Sequence, residues 1–249
     1  MSSTAAQRDG IDINADAGES ADVEADEKLL EFVTSINIAC GVHAGCEATI
    51  ARLSASAHAL GVGSGAHPGL AGGRTSAPVS PEQAMRAVRE QVLAFLKASR
   101  APLQHIKLHG ALYHAARDPE VAAAVVAALR GLPQAILIAQ ADSPLISAAR
   151  SGGIPVASEA FLDRGYRPDG TLVPRGLPGA LIESAEEAAL RAVGIATENR
   201  LTAVDGTRID VDAVTLCIHA DTPGAIELAA AARAALQRAG IRVRPLGDR

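Results

Sequence analysis

Short apolar runs alternate with longer segments of helical periodicity along the whole chain, and this alternation restricts the possible folds severely. The short runs leave no clear polar face, which is typical of strands buried on both sides by helices. About seven strand–helix units in 249 residues predict a parallel sheet and favour a closed or nearly closed barrel over two Rossmann halves. The predicted strands are Ile11–Asn14, Ile36–Ala39, Val62–Gly65, His105–Leu108, Ala135–Ile138, Pro155–Ser158 and Val214–Ile218.

Helix start signals lie between these strands. Ser80 is followed by a proline and by Gln83, which is the pattern of a capping box with proline in the first turn. A cap residue followed by proline recurs at Asp118, Ser143 and Thr222. Ser184 with Glu187 predicts another capping box.

The remaining segments complete the predicted organisation. Asp163–Gly179 is rich in glycine and proline and predicts irregular structure, and Asn199–Asp212 predicts a small hairpin before the last strand. We expect residues 1–249 to form a single (β/α) barrel domain, with residues 1–9 as a flexible N-terminal extension.

Composition excludes several classes of function. The net charge is -5 without a basic stripe, so nucleic acid is not an expected partner. No apolar run reaches the roughly 20 residues of a membrane span, and the N-terminus lacks the apolar region of a signal peptide. The three cysteines, Cys40, Cys46 and Cys217, form no CxxC pair, which disfavours a disulfide framework or a cysteine zinc site. These features predict a cytoplasmic protein.

Polar residues fall at the carboxyl ends of almost all predicted strands. The loops after the strands of a barrel converge at one rim, so we expect these side chains to share one site. They are Asp12, Asn14, Asp16, Glu19, Asn37, His43, His67, Lys107, His109, Glu159, Asp163, Arg164, His219 and Asp221.

Asp12, Asn14 and Asp16 alternate along the first predicted strand, so their side chains point to the same side. If that side is the barrel interior, the three residues form a platform for a ligand or a metal. The alternative is a polar layer satisfied by hydrogen bonds. Because a buried carboxylate costs several kcal/mol unless it is paired, the functional interpretation is favoured.

Three histidines occupy equivalent positions in successive units, each beside glycine or small residues: His43, His67 and His109. A lone histidine is more often a core residue, but glycine brings backbone close to a ligand and the repetition favours function. Lys107 lies inside an apolar run, where it must reach a carboxylate or a bound anion, or lower its pKa. A structural ion pair is the alternative for this lysine.

Several common motifs are absent from the sequence. Gly61-x-Gly63-x-Gly65 is not a dinucleotide fingerprint, and no P-loop, serine-hydrolase elbow or HExxH occurs. A nucleotide would therefore bind without a P-loop.

Seven stretches, in this order, resemble the LamB/YcsF family of 5-oxoprolinase A subunits. HPG, KxHGALY and DTPGA are each weak signals but are specific together. The stretches, which run through nearly the whole chain, are Ile11–Glu19, Ser35–Gly45, Gly61–Gly69, His105–Tyr113, Glu159–Tyr166, Leu172–Arg175 and Cys217–Ala225.

The resemblance implies a seven-stranded, distorted TIM-like α/β barrel akin to that of the polysaccharide deacetylases. It also implies conversion of 5-oxoproline to L-glutamate with hydrolysis of ATP to ADP and phosphate, performed with two partner subunits, and Mg²⁺ is expected with the ATP.

The hypothesis assigns catalysis to five residues, with one histidine as the base for water: Asp16, His43, His67, Lys107 and His109. It assigns substrate binding to Asp12, Asn14, Glu159, Arg164 and Asp221. Lys107 and Arg164 would face anionic groups, and Asp12, Asp16 and Asp221 would orient these groups or hold Mg²⁺. If a metal is bound to the protein itself, its assigned ligands are Asp12, Asp16, His43 and His67.

Two alternatives stay open from the sequence. One is a metal-dependent amidase or deacetylase that works without ATP. The other is a non-catalytic subunit that binds the substrate and passes it to its partners.

Overall fold

The computed structural model describes residues 10–20, 22–72 and 78–247. Seven parallel strands, β1 to β6 and β9, pair in sequence and close into a barrel because β9 pairs with both β6 and β1. The strands are β1 Gly10–Ala17, β2 Ser35–Ala39, β3 Gly63–His67, β4 Leu103–Lys107, β5 Ile136–Gln140, β6 Val156–Phe161, β7 Arg200–Thr202, β8 Arg208–Asp210, β9 Thr215–His219 and β10 Arg242–Val243. The predicted seven-stranded TIM-like α/β barrel is confirmed.

Two short additions accompany the barrel. The antiparallel pair of β7 and β8 is the hairpin predicted within Asn199–Asp212. Strand β10, which the sequence did not predict, pairs with the start of β1. The expected flexible extension over residues 1–9 lies outside the described residues.

Helices follow the strands around the barrel. Their bounds are α1 Val23–Leu29, α2 Glu47–Ala59, α3 Pro81–Ala98, α4 Gly110–Ala115, α5 Pro119–Ala128, α6 Pro144–Ser151, α7 Ala185–Glu198 and α8 Ala225–Arg238. None of the helices in the described ranges combines the length and the apolar character needed to cross a lipid bilayer.

Four of the predicted helix caps are confirmed. The side chains of Ser80, Asp118, Ser143 and Ser184 each accept a hydrogen bond from a backbone N–H in the first helical turn. The prediction for Thr222 was wrong, because α8 begins three residues later, after Gly224. The Thr222 hydroxyl instead donates to the buried carboxylate of Asp163 at 2.6 Å.

The first strand separates an apolar from a polar side. Its residues Ile11, Ile13 and Ala15 belong to the apolar core around the barrel. The alternate residues point to the barrel interior, where the Asn37 amide nitrogen donates to Asn14 Oδ1 at 2.7 Å and to Asp16 Oδ1 at 2.8 Å. The predicted alternation is therefore present, and it fills the barrel with polar side chains.

Glycines of β3 make room for this polar interior. A Cβ atom on Gly65 would lie 2.1 Å from the His105 ring, and one on Gly63 would lie 2.0 Å from the Gln104 side chain. His105 Nε2 lies 2.8 Å from Asn37 Oδ1, so the ring is part of the interior network. The glycine spacing that did not match a nucleotide fingerprint thus has a packing reason.

We expect Gly65→Ala to lower the free energy of unfolding by about 1–3 kcal/mol, the usual effect of overpacking a rigid interior. Urea unfolding of the two proteins measures it. In a His105→Ala background the ring is gone, so the same substitution should have a much smaller effect. An equally large effect in both backgrounds would show that the contact with His105 is not the cause.

Candidate functional site

A cavity of about 870 Å³ opens at the carboxyl ends of the barrel strands. Apolar side chains such as Phe161, Leu172 and Val173 form part of its wall. Its ionisable lining residues are Asp16, His67, Lys107, His109, His114, Asp118, Arg164, Arg175 and His219. Six residues expected at the site therefore lie around one cavity: Asp16, His67, Lys107, His109, Arg164 and His219.

Lys107 lies at the floor of the cavity and is 2% exposed. Its Nζ is 2.9 Å from Asp16 Oδ1, 3.2 Å from Glu159 Oε2 and 2.8 Å from Cys217 Sγ. Burial alone would lower the pKa of Lys107, but Asp16, Cys217 and Glu159 raise it well above its ordinary value. The side chain is therefore a fixed ammonium that neutralises buried carboxyl groups.

Asp16 lies between this ammonium and two imidazoles. Its Oδ2 is 3.4 Å from His67 Nε2 and 3.8 Å from His219 Nε2. Burial would raise the pKa of Asp16, but His67 and Lys107 hold it well below its ordinary value. Asp16 is therefore an anion at the centre of the cavity floor.

Three imidazoles surround a single carboxylate oxygen next to Asp16. Glu19 Oε1 lies 3.2 Å from His43 Nε2, 3.4 Å from His67 Nε2 and 2.7 Å from His109 Nδ1. The rings of His43 and His109 are stacked with their centroids 3.9 Å apart. We call these four residues, Glu19, His43, His67 and His109, the histidine cluster.

The histidine cluster has unequal proton affinities. Burial would raise the pKa of Glu19, but hydrogen bonds from His109 and His43 hold it far below its ordinary value. Burial would lower the pKa of His67, but Asp16 and Glu19 raise it to about 9. Burial dominates at His43 and lowers its pKa. In the protein alone, the positive charge of the cluster is thus expected on His67.

A histidine–aspartate pair lies on the other side of the cavity, and the sequence hypothesis gave neither residue a role. Both Asp163 carboxylate oxygens lie 3.0 Å from His219 Nδ1, and the His219 backbone N–H donates to Asp163 at 2.9 Å. Burial would raise the pKa of Asp163, but His219 and its hydrogen bonds lower it. The ring, stacked on Phe161 with centroids 5.3 Å apart, is oriented with Nε2 on the side of Asp16.

Asp12 lies deeper in the barrel and does not line the cavity. Its carboxylate accepts hydrogen bonds from the hydroxyls of Thr34 and Ser35, each at 2.7 Å, and from that of Thr215. Burial raises the pKa of Asp12 to about 6, against the lowering effect of these hydroxyls. The role of Asp12 as a substrate-binding residue stays a prediction, but its carboxylate oxygens already accept hydrogen bonds from three hydroxyls.

Asn14 and Glu159 lie between Asp12 and the cavity floor. The Asn14 amide donates to Thr215 at 2.6 Å and its oxygen accepts from Lys107 at 3.3 Å. Glu159 is fully buried beside the same ammonium. Both residues contact Lys107, which lines the cavity, but they do not line the cavity themselves.

Asp221 lies at the rim rather than in the cavity. Its carboxylate pairs with Arg175, which lines the cavity, through two contacts of 3.3 Å. The Asp221 side chain is 40% exposed. Of the predicted substrate ligands, Arg164 is the one that lines the cavity, and carbonyl groups of Ala180 and Val173 hold its guanidinium.

Replacing Asp12 by asparagine tests whether the raised pKa of this buried carboxyl group makes the stability of the protein depend on pH. The folded protein prefers the protonated form, so the contribution of Asp12 to stability is full below about pH 4 and is lost as pH rises towards 6. We expect the stability of Asp12→Asn relative to wild type to rise by about 2–3 kcal/mol between pH 4 and pH 7. Urea unfolding at intervals of pH measures this.

Glu183→Gln, at an exposed position, is the matched control and should show no comparable trend. A difference between Asp12→Asn and wild type that does not change with pH would contradict the buried, hydroxyl-bound environment.

Metal-binding potential is concentrated in two groups of side chains among the described residues. One is the histidine cluster, and the other contains Asp16, Cys217 and His219. The four ligands assigned from the sequence do not form one group. His43 and His67 lie together with Glu19 and His109, Asp16 is in the second group, and Asp12 is in neither. Neither group consists of oxygen donors alone, which Mg²⁺ prefers.

The chain forms a closed parallel (β/α) barrel, with ionisable side chains around a cavity at the carboxyl ends of its strands. This is the architecture of TIM-like barrel enzymes. The LamB/YcsF family model matches residues 11–249. The chain belongs to the LamB/YcsF family, as its motifs predicted.

Relatives are similar over almost the full length of the chain. The 5-oxoprolinase A subunit of Heliobacterium modesticaldum is 44% identical, covering 94% of this chain and 97% of that protein. The 5-oxoprolinase A subunit of Pyrococcus furiosus is 37% identical, covering 96% of this chain and 98% of that protein.

Solved structures agree with this relationship. The lactam utilization protein of Thermus thermophilus is 42% identical, with a TM-score of 0.85 over 95% of this chain and 100% of that one. The Xyl-CE4 domain of a xylanase from the hindgut metagenome of Trinervitermes trinervoides is 10% identical, with a TM-score of 0.55 over 95% of this chain and 86% of that one. This second likeness shows the fold alone, and it confirms the predicted deacetylase-type barrel.

Proposed function

We propose that this chain is the A subunit of an ATP-dependent 5-oxoprolinase, which opens 5-oxo-L-proline to L-glutamate as ATP is converted to ADP and phosphate. The observation that carries the proposal is the oriented His219–Asp163 pair, which shares one cavity with Asp16, Lys107 and Arg164. The names of relatives that are 37–44% identical over nearly the whole chain support the substrate and the reaction.

A lactam carbonyl is a poor electrophile, so ring opening needs activation. Phosphorylation of the amide oxygen by ATP makes the ring carbon susceptible to water. In our proposal His219 Nε2 takes a proton from the attacking water and Asp163 stabilises the resulting imidazolium. The imidazolium then protonates the ring nitrogen as the C–N bond breaks, and hydrolysis of the remaining acyl phosphate gives glutamate and phosphate.

This scheme changes the assignment of the base. The sequence hypothesis gave that role to His43, His67 or His109, whose ring nitrogens converge on Glu19. The His219 ring instead has one nitrogen held by Asp163 and the other on the cavity side, which is the arrangement of an oriented base. His219 is therefore the better candidate.

The two cationic residues of the hypothesis act in different ways. Lys107 already donates to Asp16, Asn14 and Cys217, so its contribution is a fixed positive charge under the substrate. Arg164 lies in the cavity wall with its guanidinium held by two carbonyls. This preorganisation supports Arg164 as the partner of the substrate carboxylate.

ATP, Mg²⁺, two partner subunits and a cytoplasmic location complete the proposal. The relatives are named as A subunits, which supports the presence of partners. Mg²⁺ prefers oxygen ligands and is usually held by one or two carboxylates together with substrate phosphates. Mg²⁺ is expected to accompany the phosphates of ATP.

A metal-dependent amidase without ATP is the second candidate, and the histidine cluster is the observation that favours it. The test is to combine the chain with its partner subunits and measure glutamate formed from 5-oxoproline with and without ATP. We expect glutamate only when ATP and all subunits are present. Equal release without ATP would favour the amidase, whereas calorimetric binding of 5-oxoproline without turnover would favour a carrier subunit.

A further inference from the structure

Four potential metal ligands converge from four consecutive units of the barrel. Glu19 follows β1, His43 follows β2, His67 ends β3 and His109 follows β4. Their donor atoms, Glu19 Oε1, His43 Nε2, His67 Nε2 and His109 Nδ1, meet in a largely buried position beside the cavity. From this geometry we propose that the histidine cluster binds one divalent transition-metal ion, with Zn²⁺ as the best match.

The spacing of the donor atoms fits a tetrahedral ion. Ligands about 2.0–2.1 Å from Zn²⁺ in a tetrahedron lie roughly 3.3 Å from one another. Glu19 Oε1 lies 3.2 Å from His43 Nε2 and 3.4 Å from His67 Nε2, and His67 Nε2 lies 3.2 Å from His109 Nδ1. The 2.7 Å distance from Glu19 to His109 is shorter and must lengthen when an ion enters.

The hydrogen bond of His67 prepares it as a ligand. Its Nδ1 lies 2.8 Å from the Lys107 carbonyl oxygen, which can only accept, so Nδ1 carries the proton. In the neutral ring the lone pair is then on Nε2, which faces Glu19 and Asp16 Oδ2. Metal-bound histidines typically donate their second N–H to a backbone carbonyl in this way.

Protonation of the histidine rings is an unfavourable way to neutralise this cluster. His43 and His109 are stacked at 3.9 Å, so charging both rings places two positive charges in contact. A single cation at the centre would accept all three ring lone pairs and the Glu19 carboxylate together.

The second group of potential ligands is a poor competitor. Its members Asp16 and Cys217 contact the Lys107 ammonium at 2.9 Å and 2.8 Å. That fixed positive charge repels another cation. Three imidazole nitrogens and one carboxylate also favour Zn²⁺, Co²⁺ or Ni²⁺ over Mg²⁺ and Ca²⁺, which prefer oxygen. The inference does not depend on the proposed reaction.

Cobalt titration of the chelator-treated full-length chain tests the site. We expect one Co²⁺ per chain, visible absorption bands of low-coordinate cobalt, and their loss when Zn²⁺ is added. His109→Asn and Glu19→Gln should weaken binding by about 100-fold or more, since changing even outer partners costs 10–100-fold. His58→Ala, an exposed histidine on α2, is the matched control and should bind as wild type.

Circular dichroism is the check that each variant is folded, and Glu19→Gln, which lies in a loop, replaces His109→Asn in the test if His109→Asn unfolds. Cys217→Ser should leave the cobalt spectrum unchanged. No saturable Co²⁺ binding by the wild type would overturn the proposal. Wild-type affinity in folded Glu19→Gln, or loss of the spectrum in Cys217→Ser, would overturn it as well.

Discussion

Asp163→Asn is expected to lower ATP-dependent glutamate formation by the assembled enzyme by about 10³–10⁴-fold, the scale seen when an asparagine disrupts a catalytic histidine–aspartate pair. The Asp163 carboxylate oxygens lie 3.0 Å from His219 Nδ1. They favour the tautomer with the proton on Nδ1, which keeps Nε2 available as a base. An amide removes the negative charge and allows the opposite tautomer. Steady-state turnover at saturating 5-oxoproline and ATP measures the effect.

Thr222→Val is the matched control for this prediction. It removes the 2.6 Å hydrogen bond from the Thr222 hydroxyl to Asp163 but leaves the carboxylate beside His219. We expect less than a tenfold loss of turnover. The combination of Asp163→Asn with His219→Gln should be little worse than either change alone, because the two residues act as a unit. Asp163→Asn retaining more than a tenth of wild-type turnover would remove the pair from the reaction.

Lys107→Met is expected to lower the free energy of unfolding by about 3–5 kcal/mol, because it leaves buried carboxyl groups without their cation. Lys107 Nζ contacts Asp16 at 2.9 Å and Glu159 at 3.2 Å, and all three side chains are buried. Loss of the charge under the substrate should also lower turnover by about 10²–10³-fold. Denaturant unfolding and the glutamate assay measure the two effects.

Two further variants separate stability from turnover. Lys97→Met removes an exposed lysine and should change little, since the Lys97 side chain is 75% exposed. Adding Asp16→Asn and Glu159→Gln to Lys107→Met removes the unpaired charges, so stability should partly return while turnover stays low. Wild-type stability and turnover in Lys107→Met would show that the ammonium supports neither the barrel nor the reaction.

The barrel and the position of its site could be predicted because both follow from local patterns. Apolar runs without a polar face gave the parallel strands, and strand ends gave the rim that collects Asp16, His67 and Lys107. The depth at which each side chain lies in the barrel could not be predicted in the same way. Asp12 and Asp16 share one side of β1, but the four-residue step between them separates a hydroxyl-bound carboxylate in the interior from one that lines the cavity.

The pairing of Asp163 with His219 depends on strand order. Asp163 follows β6 and His219 ends β9, and these strands are neighbours although 56 residues separate the two side chains. The sequence placed both residues at strand ends but gave no reason to pair them, because a helix and a hairpin lie between. Recognising the hairpin as an insertion between adjacent barrel strands is the signal that would have found this pair.

Glu19 was expected at the site, but the sequence hypothesis gave it no role, for a different reason. It lies two residues beyond β1, where the direction of a side chain is set by the loop rather than by strand alternation. Its position emerges only when the loops after β2 and β4 bring His43 and His109 to the same carboxylate oxygen. The local sequence pattern does not predict which loops come into contact at the rim of the barrel.

A structure of the chain assembled with its partner subunits, 5-oxoproline and a non-hydrolysable ATP analogue tests most directly whether this cavity holds the lactam. We expect the lactam ring within the cavity of about 870 Å³, with its carbonyl between Lys107 and His219 and its carboxylate at Arg164. A lactam bound on one of the partners, with this cavity filled only by water, would contradict it.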